Sequence, residues 1–168
     1  MADNRELDCC YVRDGKWFRY RVGAIIIEEG CVLFATNAEA KYYYSVGGGV
    51  HHGESSRDAV EREVFEETGV RYEVDRLAFV HENFFTDDTR SLKGLDCHEL
   101  ALFYIMKPRG TKELPAHTST CLDGEERVVW VPIEKLGEVH AFPTFYREWL
   151  KKLPESGIVH IVTNDKKA

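Results

Sequence analysis

Apolar and polar residues follow two different periods along this chain. Most of its length shows short runs rich in β-branched and aromatic residues, each closed by Gly, Pro or Asp, which is the signature of strands. Residues 7–20 predict a hairpin, with Cys9–Val12 and Lys16–Tyr20 joined at Asp14-Gly15, a favoured turn pair. Val22–Glu28 is a strand that turns at Glu29-Gly30 into Cys31–Thr36, its expected antiparallel partner. Tyr42–Val46 is a further strand, ending in Gly47-Gly48-Gly49. Val70–Thr86 is strand-like with a break near Asp75, and Asp87–Gly94 is a polar loop. Cys97–Met106 is almost continuously apolar after its start, which predicts a strand covered on both faces. Pro108–Glu126 reads as one long irregular stretch, Arg127–Val131 as a strand stopped by Pro132, and Ile158–Thr163 as a last strand.

The helical period occurs twice. The first helix opens at Ser55, an N-cap with Asp58 three residues on, and stops at Gly69. The second runs from Pro143 to about Leu153, where Phe145, Trp149 and Leu153 repeat at i, i+4, i+8 as a core-facing stripe. Strands outnumber helices and most neighbours are antiparallel. The expected class is α+β: one domain with a mixed, largely antiparallel sheet sandwiched by helices.

Composition narrows the class of partner. The chain has 168 residues, 43% hydrophobic and 30% charged, an ordinary globular balance. No stretch approaches the length of a membrane span, and the polar start Met1–Glu6 does not resemble a signal peptide, so the expected compartment is the cytoplasm. The five cysteines are odd in number and lack CxxC spacing, which excludes a disulfide framework. Cys97 and His98 are adjacent, but strand neighbours point to opposite faces, so they do not make a zinc pair. A formal charge of -7 argues against nucleic acid as a partner. It also means that an anionic substrate must be met by a metal or by a few placed basic side chains.

The first helix is where that matters. At about 100° per residue, Glu63, Glu66 and Glu67 share one face and border the core-facing stripe of Val60 and Val64. Like charges at this spacing cost roughly 0.2–0.5 kcal/mol per exposed pair. They also stand in the last turn, where the helix dipole disfavours negative charge, and burial adds to the cost. A divalent cation reverses each of these effects, and clustered carboxylates suit Mg²⁺ or Mn²⁺ better than Zn²⁺. The preceding glycines let the backbone turn tightly and approach a ligand. The Gly-Lys-Ser/Thr ending of a Walker A loop is absent.

Residues 48–70 resemble the Nudix box, G-x5-E-x7-R-E-U-x-E-E-x-G-U with U aliphatic. Gly48, Glu54, Arg62, Glu63, Val64, Glu66, Glu67, Gly69 and Val70 occupy every fixed position. The resemblance implies a Nudix-type α/β/α sandwich that cleaves a pyrophosphate bond in a nucleoside diphosphate joined to another moiety, with Mg²⁺ or Mn²⁺. ADP-ribose, nucleotide sugars, dinucleoside polyphosphates and nucleoside triphosphates all remain open as substrates. Glu63 and Glu67 would be the main metal ligands, with Glu66 beside them and the Gly48 carbonyl reaching the metal. Arg62 would pair with Glu54 and hold the loop to the helix. The alternative function is a catalytically inactive Nudix domain that senses a nucleotide.

The catalytic base varies among Nudix enzymes. Glu99, opening an otherwise apolar strand, is the first candidate outside the box, against the reading of a strand-end carboxylate in solvent. Glu125 and Glu126 are weaker candidates, read as part of a solvated loop. His51 stands where many family members have Glu; with His52 it either contacts substrate phosphates or is an exposed loop histidine. His98 either faces a ligand or is packed. Tyr42, Tyr43, Tyr44, Phe84, Phe85 and Phe142 are available to stack a base, with core packing as the alternative for most. Homodimerisation is common among relatives, and the N-terminal hairpin or an edge strand is available for it.

Overall fold

The computed structural model describes residues 7–38, 40–86, 92–116, 119–121 and 124–166, with 120, 121 and 124 described by backbone alone. Strand β1 (Cys10–Arg13) turns at Asp14-Gly15 into β2 (Lys16–Ile25). Both turn residues have positive φ, 50° and 72°, the conformation whose twist matches a two-residue hairpin. The hairpin arm and the expected Val22 strand are therefore one long β2. Then follow β3 (Ile27–Glu28), β4 (Cys31–Asn37), β5 (Tyr43–Ser45), α1 (Ser56–Thr68), β6 (Val74–Thr86) and β7 (Asp96–Met106). The chain ends with β8 (Ser119–Cys121), β9 (Gly124–Pro132), β10 (Ala141–Phe142), α2 (Tyr146–Trp149) and β11 (Val159–Asp165).

The strands divide into two sheets, β1-β2-β7-β6-β11 and β10-β5-β4-β9-β8, with β3 on β4. Most pairings are antiparallel; β2–β7, β6–β11 and β5–β10 are parallel. The expectation for Cys31–Thr36 needs correction. Only Cys31 and Val32 pair with Ile27–Glu28, while β4 runs antiparallel to β9 along its whole length. The edge strand of the hairpin leaves β2 free to pair with β7 on its other side. The break expected near Asp75 is a register shift between Val74 and Arg76.

Alternation along the strands sends side chains to two cores. Val22, Ala24 and Ile26 join Val60 and Val64 of α1 on one face; Ile25, Phe34 and Phe103 join Phe145 and Tyr146 on the other. Each such burial stabilises the fold by about 1.5–3 kcal/mol. This is the α/β/α sandwich. The helices are unequal: α1 has 13 residues, with Ser55 accepting the Asp58 N–H and Gly69 left-handed beyond its end. The expected helix from Pro143 to Leu153 contracts to Tyr146–Trp149, although Phe145, Trp149 and Leu153 do pack on the core.

The stretch expected to be irregular up to Glu126 contains β8 and the start of β9, so Glu125 and Glu126 are strand residues. The expected loop Asp87–Gly94 falls largely outside the described residues, as does the side chain of Cys121; Cys9, Cys10, Cys31 and Cys97 are not in disulfides. Among the described residues, no helix is long and apolar enough to cross a membrane.

Candidate active site

The loop before α1 runs as an extended segment along the edge of β2. Ala24 N–H donates to the Val46 carbonyl (2.8 Å), Val22 N–H to Gly48 (2.9 Å) and Val50 N–H to Tyr20 (3.1 Å). The approach is so close that a Cβ on Gly47 would lie 2.2 Å from the Val22 carbonyl, and one on Gly48 would lie 2.5 Å from the Glu63 carboxylate. A side chain at 47 is excluded by backbone, and one at 48 would displace the Glu63 carboxylate; that is the physical content of the glycines.

Arg62 ties this loop to the helix. Its Nε and Nη2 grip the two Glu54 oxygens at 2.8 and 2.9 Å, and Nη2 also donates to the Gly49 carbonyl at 3.0 Å. Its Nη1 donates to Glu63 at 2.7 Å and Glu66 at 3.3 Å. The hydrogen bond from Arg62 holds the Glu54 carboxyl below its ordinary range, and the reciprocal bond raises the pKa of Arg62. Glu54 also accepts the His51 N–H.

Behind this clamp Glu67 is buried and Glu63 half-buried, while Glu66 is exposed. Glu67 is 6% exposed; its Oε1 accepts the Gly47 N–H at 2.7 Å, and its buried Oε2 has no hydrogen-bond partner among the described residues. Burial first, then the charge of Glu126, pushes its pKa well above the carboxylate value. Burial also raises the pKa of Glu63, against the pull of Arg62. Glu126, on β9, is 8% exposed and accepts hydrogen bonds from the Tyr44 hydroxyl and from Ser119 Oγ. Among the described residues, no three His, Cys, Asp or Glu side chains already stand at metal-ligand spacing. Arg62 holds Glu63 and Gly47 holds one oxygen of Glu67. The donor set nevertheless fits a hard divalent cation: acidic oxygens from Glu63, Glu66 and Glu67, one of them buried without a partner, beside a Gly48 carbonyl that retains a second lone pair.

These groups line one side of a cleft of about 1560 Å³. The opposite side is formed by the inward faces of β2, β6, β7 and β11. Glu99 lines it from β7, opposite Arg19 of β2 and Asn83 of β6. Arg21 enters from β2 and donates from Nη2 to the carbonyls of Ser45 (3.3 Å) and Gly47 (3.1 Å). His81 is 4% exposed, and burial, reinforced by the charge of Arg21, pushes its pKa down to about 4. Thr163 Oγ1 donates to Asn83 Oδ1 at 2.6 Å, so the His81 Nε2 at 2.9 Å donates to Thr163.

The aromatic candidates separate by strand parity. Phe85 lines the cleft, edge-on to Trp17. Phe84, its neighbour, lies on the far face of the sheet, stacked on His98 at 4.3 Å, so neither of those two lines the cleft. Tyr42, Tyr44 and Phe142 line it together with His140, whereas Tyr43 packs against Phe34 in the core. His51 lies beneath the loop, its ring between Asp8 and Glu54.

Gly48, Glu54, Arg62, Glu63, Glu66 and Glu67 thus come together as expected. Three features were not expected: the placement of Glu126 against Glu67, the entry of Arg21, and the His81–Thr163–Asn83 chain. Strand alternation on β9 would have exposed Glu126 had the strand been extended back from Trp130; the other two depend on which strands pair.

A model of the NUDIX domain matches residues 17–153. A MutT-like protein of Streptomyces ambofaciens is 32% identical over 123 residues, covering 71% of this chain and 69% of the relative. A MutT protein from Bacillus halodurans superposes with a TM-score of 0.60 at 16% identity, over 87% of this chain and 90% of its own. An ADP-ribose pyrophosphatase from Streptococcus suis does so with a TM-score of 0.56 at 12% identity, over 85% and 98%. At these identities the two structures speak for the fold alone.

Proposed function

The chain belongs to the Nudix family of hydrolases, whose members generally use divalent cations, and on that premise we propose that it cleaves a pyrophosphate bond in a nucleoside diphosphate linked to another moiety, with Mg²⁺ or Mn²⁺ as the cation. The observation that carries this reading is the buried Glu67 carboxylate, with one oxygen unpartnered and two further acidic groups, Glu63 and Glu126, acting on it electrostatically. Such a group is costly to bury unless a cation completes it.

Glu63 and Glu67, with Glu66 at the mouth and the Gly48 carbonyl, would hold the cation. A cation there would neutralise the diphosphate and lower the pKa of the attacking water. Arg62 and Glu54 keep the loop and the helix carboxylates in fixed relation, because phosphoryl chemistry needs positioning above all. Glu126 is the fourth acidic group, held by Tyr44 and Ser119, and we assign it ahead of Glu99 as the group that accepts a proton from the attacking water. Glu99 lines the wall opposite the helix, on β7, and we assign it with Phe85 to the substrate side. Tyr42 and Phe142 offer flat faces to a base. The volume of the cleft leaves room for both halves of a nucleoside diphosphate derivative, the class named by the ADP-ribose pyrophosphatase and UDP-X diphosphatase among the structural neighbours.

The test is a panel of ADP-ribose, nucleotide sugars, dinucleoside polyphosphates and nucleoside triphosphates, with Mg²⁺, with Mn²⁺ and with chelator. Cation-dependent release of a nucleoside phosphate from one class is expected. Binding without turnover across the panel, by folded protein with cation present, would overturn hydrolysis in favour of a nucleotide sensor.

A further inference from the structure

Residues 7–9 precede the segment matched by the family model, which begins at Trp17, yet they form the outer edge of the catalytic loop. Cys9 N–H donates to the Val50 carbonyl at 2.8 Å, and His52 N–H to the Leu7 carbonyl at 2.7 Å. Asp8 and His51 form an antiparallel bridge. The Cys9 carbonyl accepts the Tyr20 N–H at 2.9 Å, so this strap is anchored to β2, and Val50 lies between the two.

The backbone of the strap would serve with almost any side chain at position 8. The side chain that is present does more. Its carboxylate lies directly over Gly49, where a Cβ would be 2.6 Å from Oδ2. It stands 3.5 Å from His51 Nε2 and 3.9 Å from Arg19 Nη2, and it lines the cleft. The other ring nitrogen of His51 lies 3.7 Å from Glu54 Oε2, the oxygen that Arg62 grips. Asp8, His51, Glu54, Arg62 and Glu63 therefore form a continuous chain of polar contacts from outside the family segment to a cation-binding carboxylate. His51 stands where many Nudix members carry Glu; here the carboxylate at this edge of the loop comes from the strap.

We propose that Asp8 is a positioning residue of the hydrolytic site. It fixes His51 against Glu54 and closes the loop over Gly49, so that the Arg62 clamp presents Glu63 and the Gly48 carbonyl in register. The inference rests on the assignment of this loop and helix as the cation and diphosphate site.

The test compares wild type with Asp8→Asn, Asp8→Ala and His51→Ala, and with Asp8→Asn in the His51→Ala background, using the full chain. Three quantities are measured: kcat and KM on the best substrate of the panel, Mn²⁺ affinity without substrate, and the thermal midpoint. Asp8→Asn is isosteric and keeps the backbone strap. It is expected to lower kcat about tenfold and weaken Mn²⁺ several-fold, the lower range for losing a group that orients a metal ligand. KM and the thermal midpoint should stay nearly unchanged. In the His51→Ala background the same substitution should cost less than about twofold, because the two residues act as one unit. Wild-type kcat and Mn²⁺ affinity in both Asp8 variants would overturn the proposal. So would losses that multiply in the double variant, or a fall in kcat that only tracks the thermal midpoint. If wild type turns over no substrate, the hydrolytic reading fails, and the Mn²⁺ affinities still decide the role of Asp8.

Discussion

The two sides of the cleft are built in opposite ways. The carboxylate side is nearly contiguous in sequence: Gly47 to Glu67 place a loop, a clamp and three acidic side chains by local spacing, and Asp8 and Glu126 come from afar. The opposite side has no contiguous stretch. Arg21, His81, Glu99 and Thr163 come from four strands and meet only because β2, β7, β6 and β11 lie side by side. One side takes its geometry from helix periodicity and steric exclusion at glycine; the other takes it from sheet register. The difference suggests a division of labour, with the reaction held on the local side and the choice of substrate on the assembled one.

The sharpest way to break this comparison is Glu67→Gln. Activity is expected to fall about a thousandfold, the upper end for losing one preorganised electrostatic group. The cation-free protein should at the same time melt higher, because a buried like charge beside Glu63 and Glu126 is gone. A small loss of kcat would move the reaction away from the helix.

On the assembled side the largest effect concerns pH. His81 titrates near 4 in the folded protein against 6.5 when exposed. The unfolded chain therefore binds the extra proton first as pH falls. The contribution of His81 to stability is complete above 6.5 and is lost progressively down to about 4. The size is about 3 kcal/mol. Urea melts at a series of pH values should show this slope, and His81→Asn should flatten it.

Glu126 and Glu99 decide where the boundary lies. Glu126→Gln is expected to lower kcat about a hundredfold, the lower end for a general base, whereas Glu99→Gln should act mainly on KM. The reverse result would return the proton acceptor to β7. The smallest effect separates two neighbours. Phe85→Ala should raise KM several-fold, and Phe84→Ala should leave kcat/KM within about twofold, because adjacent strand residues face opposite sides.

The contrast also explains what was legible in advance. Ser55, Gly69 and the core-facing Val60 and Val64 all occupy their expected places, because caps and helix periodicity are short-range. In sequence Glu126 reads as a loop residue because Pro115 and Gly124 punctuate the chain there. The strand exists through pairing with β4, some 90 residues earlier in the chain, as in Thr36 opposite Arg127. Of the aromatic pair at 84–85 only Phe85 lines the cleft, since alternation is visible in the sequence but its phase is not. The shortened second helix follows from its neighbours: a four-residue helix holds because Phe145 and Tyr146 are buried in the core, with no long helical face to maintain it.

By itself the sequence determined the family, the sandwich class and the loop–helix unit. The loop–helix unit rests on residues close in sequence, where spacing alone sets which side chains meet. The tertiary structure alone decided that β2 pairs in parallel with β7, that the charge of Glu126 acts on Glu67, that Phe85 faces the cleft, and that residues 7–9 pair with the loop at Val50–His52. Those contacts join residues tens of positions apart. A register shift of one residue would turn each of those side chains to the other face, so no local pattern encodes them.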